Sequence, residues 1–381
     1  MDQITKNKKV LAFIDWYRPG FKAGGTITAF GNFVDHLEHN FTFKIVTRNT
    51  DYLSTQPYAQ TASDVWGDKG RTKCYYISKL QLSMKLIRNL VKDEKFHILY
   101  INGIFSFYFS ILPLYYGKGK KIIINPHGML SKQAFSVKST KKKFFIGFAN
   151  AINLYKNSTF HVANADEAKS VRNKIKNFRS IKIANQFPRK IKSEVFQPKY
   201  LTSPLRLVNV ARISTEKGTL KMIKSLHHSK NNIILDIFGP IYDKQYWSVC
   251  NAAIKELPPN ITVNYRGVID GNSVVDMLRE YHYFILFSEG ENFGHSILEA
   301  LSTGCPVVIS NNTPWRDLES KGIGWDIDID IEKKIVYVFE RIFNLKQDEY
   351  DLLSKKAFNF AKDFSNDKNL LAINKSLINN I

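Results

Sequence analysis

The chain has 381 residues, more than one ordinary hydrophobic core requires and enough for two domains. With 44% hydrophobic and 23% charged residues, its composition is that of a folded globular protein and excludes a disordered or fibrous one. The formal net charge of +21 indicates a polyanionic partner, whether nucleic acid, anionic lipid or a phosphorylated substrate, although abundant solvent-exposed lysine explains much of the excess.

Short apolar runs rich in β-forming residues alternate with longer amphipathic stretches along the chain. The first series lies at residues 10–14, 43–47, 98–101, 121–125 and 160–163. The second series lies at residues 205–211, 233–238, 261–265, 283–287 and 306–310. This alternation predicts two α/β domains, each with a parallel sheet covered by helices.

The segment between the two series, residues 186–204, contains three prolines and no hydrophobic period, which predicts a linker with the domain boundary near Thr202. Helical spacing returns from Asp348 onward. We therefore expect an N-terminal domain at 1–200, a C-terminal domain at 201–360 and a last helix at 361–381.

The sequence shows no clear signal for export, membrane insertion or disulfide formation. The polar, basic N-terminal residues lead directly into an apolar run, so we expect no signal peptide. The most apolar window, residues 104–116, is shorter than the roughly 20 residues that span a bilayer, so we expect no transmembrane helix and, with no signal peptide, a cytoplasmic protein. The three cysteines, Cys74, Cys250 and Cys305, lack the spacing of a disulfide framework or a zinc site.

The most informative segment is residues 288–310, SEGENFGHSILEALSTGCPVVIS, which reads as a strand end, a loop, a helix, a glycine stop and the next strand. Glu291 lies in the loop, and Glu299 lies about one turn inside the helix that begins near Gly294. A carboxylate among apolar neighbours requires hydrogen-bond donors, and a ribose diol supplies two.

Two glutamates with seven residues between them, flanked by S-x-x-E-x-F-G and E-A-L-x-x-G-x-P-V-V, resemble the signature of glycosyltransferase family 4, which comprises retaining enzymes of the GT-B fold. The resemblance implies that Glu291 contacts the donor sugar and Glu299 the ribose, while Phe293 and Gly294 offer backbone amides to the sugar hydroxyls. The alternative is two surface glutamates at a chance spacing.

The same resemblance sets the expected architecture and roles of the domains. It implies two Rossmann-like parallel-sheet domains that face each other across a cleft. The N-terminal domain would bind the acceptor and the C-terminal domain the nucleotide sugar. The last helix would pack back on the N-terminal domain.

A second group of residues is suited to a diphosphate. Arg212 and Lys217 follow the strand that opens the second domain, in VNVARISTEKG. Two cations there can neutralise a leaving diphosphate, and the resemblance gives them this role, although an isolated pair is usually solvated. The free amides of Gly294, His295 and Ser296 at a helix start also suit a diphosphate.

Four further loops follow predicted strands. Residues 17–25, YRPGFKAGG, end at Gly25 and resemble the family's N-terminal glycine loop, with a plain turn as the alternative. His127 in NPHGML is a candidate for positioning the donor sugar, with a structural histidine as the alternative. The resemblance places Gly239 and the pair Arg266 and Gly267 near the nucleotide base.

Asp326, Asp328 and Asp330 in WDIDID resemble the D-x-D with which another glycosyltransferase fold binds a divalent metal. They lie after the second series of strands, and we interpret Asp330 as a helix cap. We therefore expect no metal and no cofactor, with a UDP-sugar rather than a GDP-sugar as donor substrate.

Two basic runs, residues 138–143 and 169–192, lie in the first domain, and Phe144, Phe145 and Phe148 adjoin the first run. Such surfaces suit an anionic membrane or a lipid-diphosphate acceptor, with solvated helix faces as the alternative. Nucleic acid is not expected, because no recognition motif is present.

Together with these observations, the resemblance implies a retaining transferase that moves a hexose-type sugar from a nucleoside diphosphate to a glycan or lipid-linked acceptor. The expected setting, by analogy, is bacterial surface polysaccharide assembly, including lipopolysaccharide, at the inner face of the plasma membrane. Two alternatives stay open: a nucleotide-sugar epimerase of the same fold, and a non-enzymatic polyanion-binding or membrane-binding protein.

Overall fold

The computed structural model describes residues 8–136, 139–190, 195–227 and 229–380. The chain forms two compact units. Unit 1 comprises Met1–Phe187 together with Lys368–Ile381, and unit 2 comprises Pro188–Asp367. Parts of both predicted basic runs, at residues 138 and 191–192, lie outside the described residues.

Unit 1 is built on a twisted eight-stranded sheet. Its strands are β1 (Lys9–Phe13), β2 (Thr42–Arg48), β3 (Trp66–Lys69), β4 (Thr72–Ile77), β5 (Ile98–Asn102), β6 (Lys121–Asn125), β7 (Ser158–Val162) and β8 (Ser180–Ile183). Their order is β3-β4-β2-β1-β5-β6-β7-β8, and β3 pairs antiparallel with β4 while the other neighbours are parallel. All five residues of β5 are buried, as expected of a central parallel strand that is covered on both faces.

Helices connect most of the successive strands of unit 1. They are α1 (Gly25–Leu37), α2 (Met84–Asp93), α3 (Leu112–Tyr116), α4 (Lys132–Ser136), α5 (Ser139–Ala151) and α6 (Ala165–Lys174). The α2 helix shows why they form. The Ser83 hydroxyl accepts a hydrogen bond from the Leu86 amide at its start, and Ile87, Leu90 and Val91 recur at helical spacing on its buried face.

Unit 2 is built on a six-stranded, fully parallel sheet. Its strands are β9 (Leu205–Val210), β10 (Ile233–Phe238), β11 (Ile261–Gly267), β12 (Tyr283–Leu286), β13 (Val307–Ser310) and β14 (Gly324–Ile327), in the order β11-β10-β9-β12-β13-β14. Its helices are α7 (Thr219–Ser225), α8 (Lys244–Lys255), α9 (Val274–Leu278), α10 (His295–Leu301), α11 (Leu318–Lys321), α12 (Glu332–Asn344) and α13 (Gln347–Ser365).

The last helix, α14 (Lys368–Asn379), belongs to unit 1. The Lys8 ammonium donates hydrogen bonds to the carbonyls of Ile378, at 3.3 Å, and Asn379, at 2.7 Å. The Asn374 side chain donates to the carbonyl of Asn185 at 3.0 Å, and Leu377 is buried. Charged, polar and apolar contacts therefore all attach α14 to unit 1.

The structure confirms the predicted fold class of two Rossmann-like parallel-sheet domains. Each of the ten predicted strand runs coincides with a strand, and the sequence analysis missed β3, β4, β8 and β14. The units divide after Phe187, earlier in the chain than the predicted boundary near Thr202. The final helix begins at Lys368 rather than at residue 361, because α13 continues to Ser365 within unit 2.

None of the helices in the described residues combines the length and the apolar character that crossing a bilayer requires. The three cysteines are free and buried.

Candidate active site

The loop after β9 and the loop after β12 are joined at the carboxyl edge of the unit 2 sheet, the edge where its strands end. The Glu289 amide donates to the Glu216 carbonyl at 2.9 Å, and the Ser288 hydroxyl donates to the same carbonyl at 3.2 Å. Gly218 has φ +67°, and a Cβ there would lie 2.0 Å from the Phe287 carbonyl oxygen. Glycine is therefore required for the two loops to approach this closely.

This junction brings two of the predicted catalytic residues into contact. The Lys217 ammonium donates to Oε1 of Glu291 at 2.5 Å, and their side chains are only 14% and 12% exposed. A charge-assisted hydrogen bond with so little solvent is stronger than a surface ion pair.

Arg212 lies on the same loop in a more exposed position. Its Nη2 is 3.8 Å from Oε1 of Glu216, its guanidinium lies over the Tyr242 ring at 4.8 Å, and its side chain is 35% exposed. The loop after β9 therefore presents one confined cation, Lys217, and one more accessible cation, Arg212.

The helix α10 begins in a constrained turn. Gly294 has φ +81°, and the carbonyl of the buried Phe293 accepts a hydrogen bond from Nε1 of Trp315 at 2.5 Å. Desolvation by the surrounding protein and, to a smaller extent, the nearby Arg189 charge together lower the pKa of His295 to about 3. His295 is therefore a neutral imidazole at physiological pH, and Ser296 follows it in the first turn of α10.

Glu299 lies one turn further along α10, on a helix whose other face is buried through Ile297, Ala300 and Leu301, as predicted. Its Oε1 accepts a hydrogen bond from Nε of Arg189 at 3.0 Å, and its side chain is 11% exposed. Burial raises the pKa of Glu299, and the Arg189 charge opposes this rise. The sequence analysis missed Arg189, which lies in the predicted linker and outside any motif.

Gly239, Arg266 and Gly267 lie where β10 and β11 end. Gly239 has φ +142°, a Cβ there would lie 1.9 Å from the Ala211 carbonyl oxygen, and its amide donates to the Gly267 carbonyl at 2.8 Å. Nε of Arg266 is 3.1 Å from the buried Asp236 carboxylate. The structure thus brings these residues together with the loop of Arg212, while the Arg266 side chain is bound to a carboxylate of its own unit.

His127 lies at the carboxyl edge of the unit 1 sheet with φ +49°, an unfavourable conformation for a residue other than glycine. Its Nε2 is 2.8 Å from Oδ1 of Asn102, and its amide donates to Oδ1 of Asn125 at 3.0 Å. Because the Asn102 amide group donates to the Phe13 carbonyl, its Oδ1 must accept. We therefore assign the ring proton of His127 to Nε2.

A buried carboxylate fixes the turn that carries His127. Glu167 accepts hydrogen bonds from the amide of Gly128 at 2.6 Å and from the amide of Ala163 at 2.8 Å. It therefore joins the loop after β6 to the loop after β7. The sequence analysis missed this residue because its pattern is that of an ordinary helix start.

The glycine loop of unit 1 is held by Asp51, another residue that the sequence analysis missed. The Asp51 carboxylate accepts from the amides of Phe21, at 3.0 Å, and Lys22, at 3.2 Å. Gly24 has φ +77° and Gly25 begins α1, and a Cβ on either would meet no atom within 4 Å among the described residues. The start of α1 therefore has open space beside it.

The three aspartates of WDIDID have separate structural roles. Asp326 accepts from the Leu318 amide at 2.8 Å, Asp328 accepts from the amide of Asp330 at 3.1 Å, and Asp330 pairs with Lys221. The prediction that Asp330 caps a helix was wrong, because α12 begins at Glu332 without a side-chain cap and the Asp330 carboxylate binds a lysine instead. Across the described part of the chain, no group of three or more His, Cys, Asp or Glu side chains is arranged to hold a metal ion.

The part of the chain that matches a known protein family lies within unit 2. Residues 190–358 match the protein family described as glycosyl transferases group 1. The matched range contains Arg212, Lys217, Glu291 and Glu299 and begins directly after Arg189. Among curated proteins, no sequence matches the chain.

Solved structures resemble the chain over almost its whole length. Sucrose-phosphate synthase from Thermosynechococcus elongatus has a TM-score of 0.70 at 15% identity and covers 98% of this chain and 99% of its own. Anabaena HepE in complex with UDP-glucose has a TM-score of 0.69 at 14% identity with the same coverage. The lipopolysaccharide outer core galactosyltransferase WaaB has a TM-score of 0.61 at 16% identity and covers 98% of both chains. The chain therefore has the GT-B fold, and its residues 190–358 carry the sequence pattern of glycosyl transferases group 1.

Proposed function

We propose that the protein is a retaining glycosyltransferase that moves a hexose-type sugar from a UDP-sugar to a glycan or lipid-linked acceptor. The Lys217–Glu291 ion pair at the carboxyl edge of the unit 2 sheet carries the proposal. Open α/β sheets bind ligands at this edge, and the pair lies there in the loops after β9 and β12, the second of which leads into α10.

In the proposed mechanism, Lys217 and Arg212 stabilise the diphosphate as it leaves. Negative charge on the β-phosphate grows while the glycosidic bond breaks, so a fixed cation binds the transition state more strongly than the bound donor. The contact with Glu291 holds Lys217 in one place before the reaction, which avoids the cost of ordering a flexible side chain.

The two glutamates bind neutral parts of the donor in this proposal. Glu291, already oriented by Lys217, accepts hydrogen bonds from sugar hydroxyls, and Glu299 accepts from the ribose. His127 of unit 1 positions the donor sugar, a role that rests on the family resemblance. The acceptor oxygen bonds to the anomeric carbon on the face from which the diphosphate leaves, and the leaving phosphate takes the acceptor's proton, so the anomeric configuration is retained.

The structural neighbours support a particular setting. One is a complex with UDP-glucose, and another is a lipopolysaccharide galactosyltransferase. We therefore propose that this chain acts in the assembly of a surface polysaccharide such as lipopolysaccharide.

A panel of nucleotide sugars tests the donor class. A donor that binds only the native state raises the thermal unfolding temperature. Because we propose a UDP-sugar as donor, a UDP-hexose should raise this temperature more than the corresponding GDP-hexose does. NMR of the product formed from that donor then shows whether the anomeric configuration is retained. Inversion of the configuration would contradict the mechanism.

A nucleotide-sugar epimerase would share the same diphosphate site, so incubation with donor alone separates the two functions. A transferase leaves the donor unchanged or hydrolyses it slowly. Formation of a new nucleotide sugar without an acceptor would replace the transferase proposal with the epimerase.

We also propose that α5 contacts an anionic membrane. Phe144 and Phe148 of α5 and Ile152 directly after it recur every four residues and are 80%, 56% and 52% exposed, and Lys141 and Lys143 of α5 are exposed as well. Exposed apolar side chains flanked by lysines favour the interface of a negatively charged bilayer.

Sedimentation with vesicles tests this contact. Vesicles that contain phosphatidylglycerol should bind the protein and pure phosphatidylcholine vesicles should not. The double variant Phe144→Ser/Phe148→Ser should lose most of the binding, whereas Leu352→Ser, which removes an exposed leucine of unit 2, should keep it. Equal binding by both variants would contradict the contact.

A further inference from the structure

Arg189 occupies an unusual place for an interdomain residue. It is the second residue of unit 2, it lies in no helix or strand, and its side chain is only 24% exposed. Its Nε donates to Oε1 of Glu299, and its Nη2 lies 3.3 Å from where a Cβ on Gly271 would be. The guanidinium is thus enclosed between α10 and the loop that follows β11.

Glu299 needs a partner of this kind. Its exposed fraction is small, and a carboxylate with little water is costly unless a charge or hydrogen bond compensates. Burial raises the pKa of Glu299, and Arg189 is the charged group that lowers it. His295, one turn earlier on α10, is neutral because its pKa is lowered to about 3.

The helices packed against α10 supply no comparable charge to Glu299. On α9, Asp276 and Arg279 pair with each other at 3.8 Å. On α13, Ala357 and Ala361 join the apolar cluster that includes the buried residues of α10. Arg189 therefore compensates Glu299.

The hydrogen bond uses only one of the two oxygens of the Glu299 carboxylate. Oε1 is bound by Arg189, whereas Oε2 has no hydrogen-bond partner within the described residues. An oxygen of a fixed, charged carboxylate is a strong acceptor for a hydroxyl group.

We propose that Arg189 is a positioning residue for the donor: it holds Glu299 as a charged acceptor and leaves Oε2 free for a ribose hydroxyl. This inference rests on the proposed function, because it assumes that unit 2 binds a nucleotide. Arg189 acts through Glu299, and its planar guanidinium suits this role better than a lysine.

UDP binding, measured by isothermal titration calorimetry, tests the inference. Arg189→Met should weaken UDP binding on the order of tenfold at pH 7, the effect of a lost charge-assisted hydrogen bond. Arg279→Met is the matched control, since it removes one positive charge and one arginine ion pair from the same unit, and it should bind UDP as the wild type does. Thermal unfolding verifies that each variant is folded.

A double-mutant cycle separates action through Glu299 from other roles. In a Glu299→Gln background, Arg189→Met should have almost no further effect, because the carboxylate that Arg189 holds is gone. The ratio of wild-type to Arg189→Met affinity should also grow as the pH falls, because Glu299 without Arg189 takes up a proton at higher pH. Both proteins bind the same UDP, so the titration of its phosphate cancels in this ratio.

The outcomes are distinguishable. If the wild type binds neither UDP nor GDP, both the proposed function and this inference are overturned. If the wild type binds UDP and Arg189→Met binds it equally well, only the inference is overturned. A tenfold loss that persists in the Glu299→Gln background also overturns it, because Arg189 would then act on the nucleotide directly or through the fold.

Discussion

The candidate ligand-binding side chains of the two units are held by different kinds of contact. In unit 2 the functional candidates are held in ion pairs, Lys217 with Glu291 and Arg189 with Glu299. In unit 1, His127 is held by neutral amide groups, with Asn102 on its ring and Asn125 on its backbone. The candidate side chains of unit 2 are thus charged and paired with opposite charges, whereas the ring of His127 in unit 1 is held by an uncharged amide group.

The difference matches the chemistry that we propose for each unit. Charged groups are effective where charge develops during a reaction, as on a leaving diphosphate. Neutral hydrogen-bonding groups orient hydroxyls without perturbing that charge. Substitutions in unit 2 should therefore change rate and donor affinity strongly, and substitutions at His127 should act more mildly.

The largest effect is expected at Lys217. Lys217→Ala should lower turnover on the order of a hundredfold or more, with a smaller effect on donor binding, because the lost cation acts mainly on the transition state. Lys217→Arg should recover only part of the rate, since its charge is kept and its shape is not. Steady-state kinetics and donor titration measure the two effects. Near wild-type turnover in folded Lys217→Ala and Arg212→Ala variants would place the diphosphate site elsewhere.

Glu299→Ala should come next. The ribose contact is a hydrogen bond to a charged, mostly buried group, so its loss should cost about 1.5–3 kcal/mol of donor binding. Calorimetry with the donor measures this directly. An unchanged affinity in the folded variant would remove Glu299 from the donor site and weaken the contrast between the units.

A third prediction compares stability in the two units. His161 in unit 1 and His282 in unit 2 are both deprived of water by burial, which lowers the pKa of each to about 4. The unfolded chain therefore binds these protons first, near the ordinary pKa of about 6.5. Stability should be unaffected by these groups above pH 6.5 and should fall by about 1.4 kcal/mol per pH unit for each histidine between 6.5 and 4.

The geometry of His282 supports this direction. Its Nδ1 accepts from the Arg206 amide at 2.9 Å and its Nε2 donates to the Tyr200 carbonyl at 2.9 Å, so a second ring proton would face an N–H group. Urea unfolding from pH 4 to 8 should show a shallower slope for His282→Gln than for the wild type. His161→Gln reports on unit 1 in the same way. Identical slopes in all three proteins would show that other groups control the acid sensitivity.

The fourth prediction concerns His127. His127→Asn keeps a residue that tolerates positive φ, so the free energy of unfolding should change by less than about 1 kcal/mol. Turnover should fall about threefold to tenfold, the effect of a neutral hydrogen bond. Denaturant unfolding and kinetics measure the two quantities. A loss of turnover as large as that of Lys217→Ala would contradict the expectation that His127 acts more mildly than the charged residues of unit 2.

The smallest effect is expected from metal removal. Lys217, Arg212 and the start of α10 supply positive potential to the diphosphate, so turnover in EDTA should equal turnover in magnesium. Loss of activity in chelator, restored by magnesium or manganese, would contradict the proposed mechanism.

The sequence predicted the strands well wherever burial on both faces produces continuous apolar runs, as in KIIIN of β6. It missed β3, WGDK, because an edge strand has few buried positions and its polar residues resemble a turn. The sequence motifs identified both Lys217 and Glu291 as site residues. Their contact follows from the strand order, because the two residues come after strands that are neighbours in the sheet.

Arg189 and Asp51 could not be found in the same way. Each acts on residues distant in the chain, Arg189 on a helix 110 positions away, and neither lies in a recognisable motif. The assignment of Asp330 failed for a related reason, since its partner, Lys221, lies on α7, more than a hundred positions earlier in the chain. Long-range ion pairs depend on tertiary packing, which local sequence patterns do not record.

The attachment of α14 to unit 1 has a consequence for synthesis of the chain. Domains generally fold as units while the ribosome extends the chain. Unit 1 must wait for Lys368–Asn379, which are made only after the whole of unit 2, before Lys8 finds its carbonyl partners and Leu370 and Leu377 find their buried positions. A nascent unit 1 therefore exposes the apolar surface that α14 later covers, and removal of α14 would damage unit 1 although the whole of unit 2 separates them in the sequence.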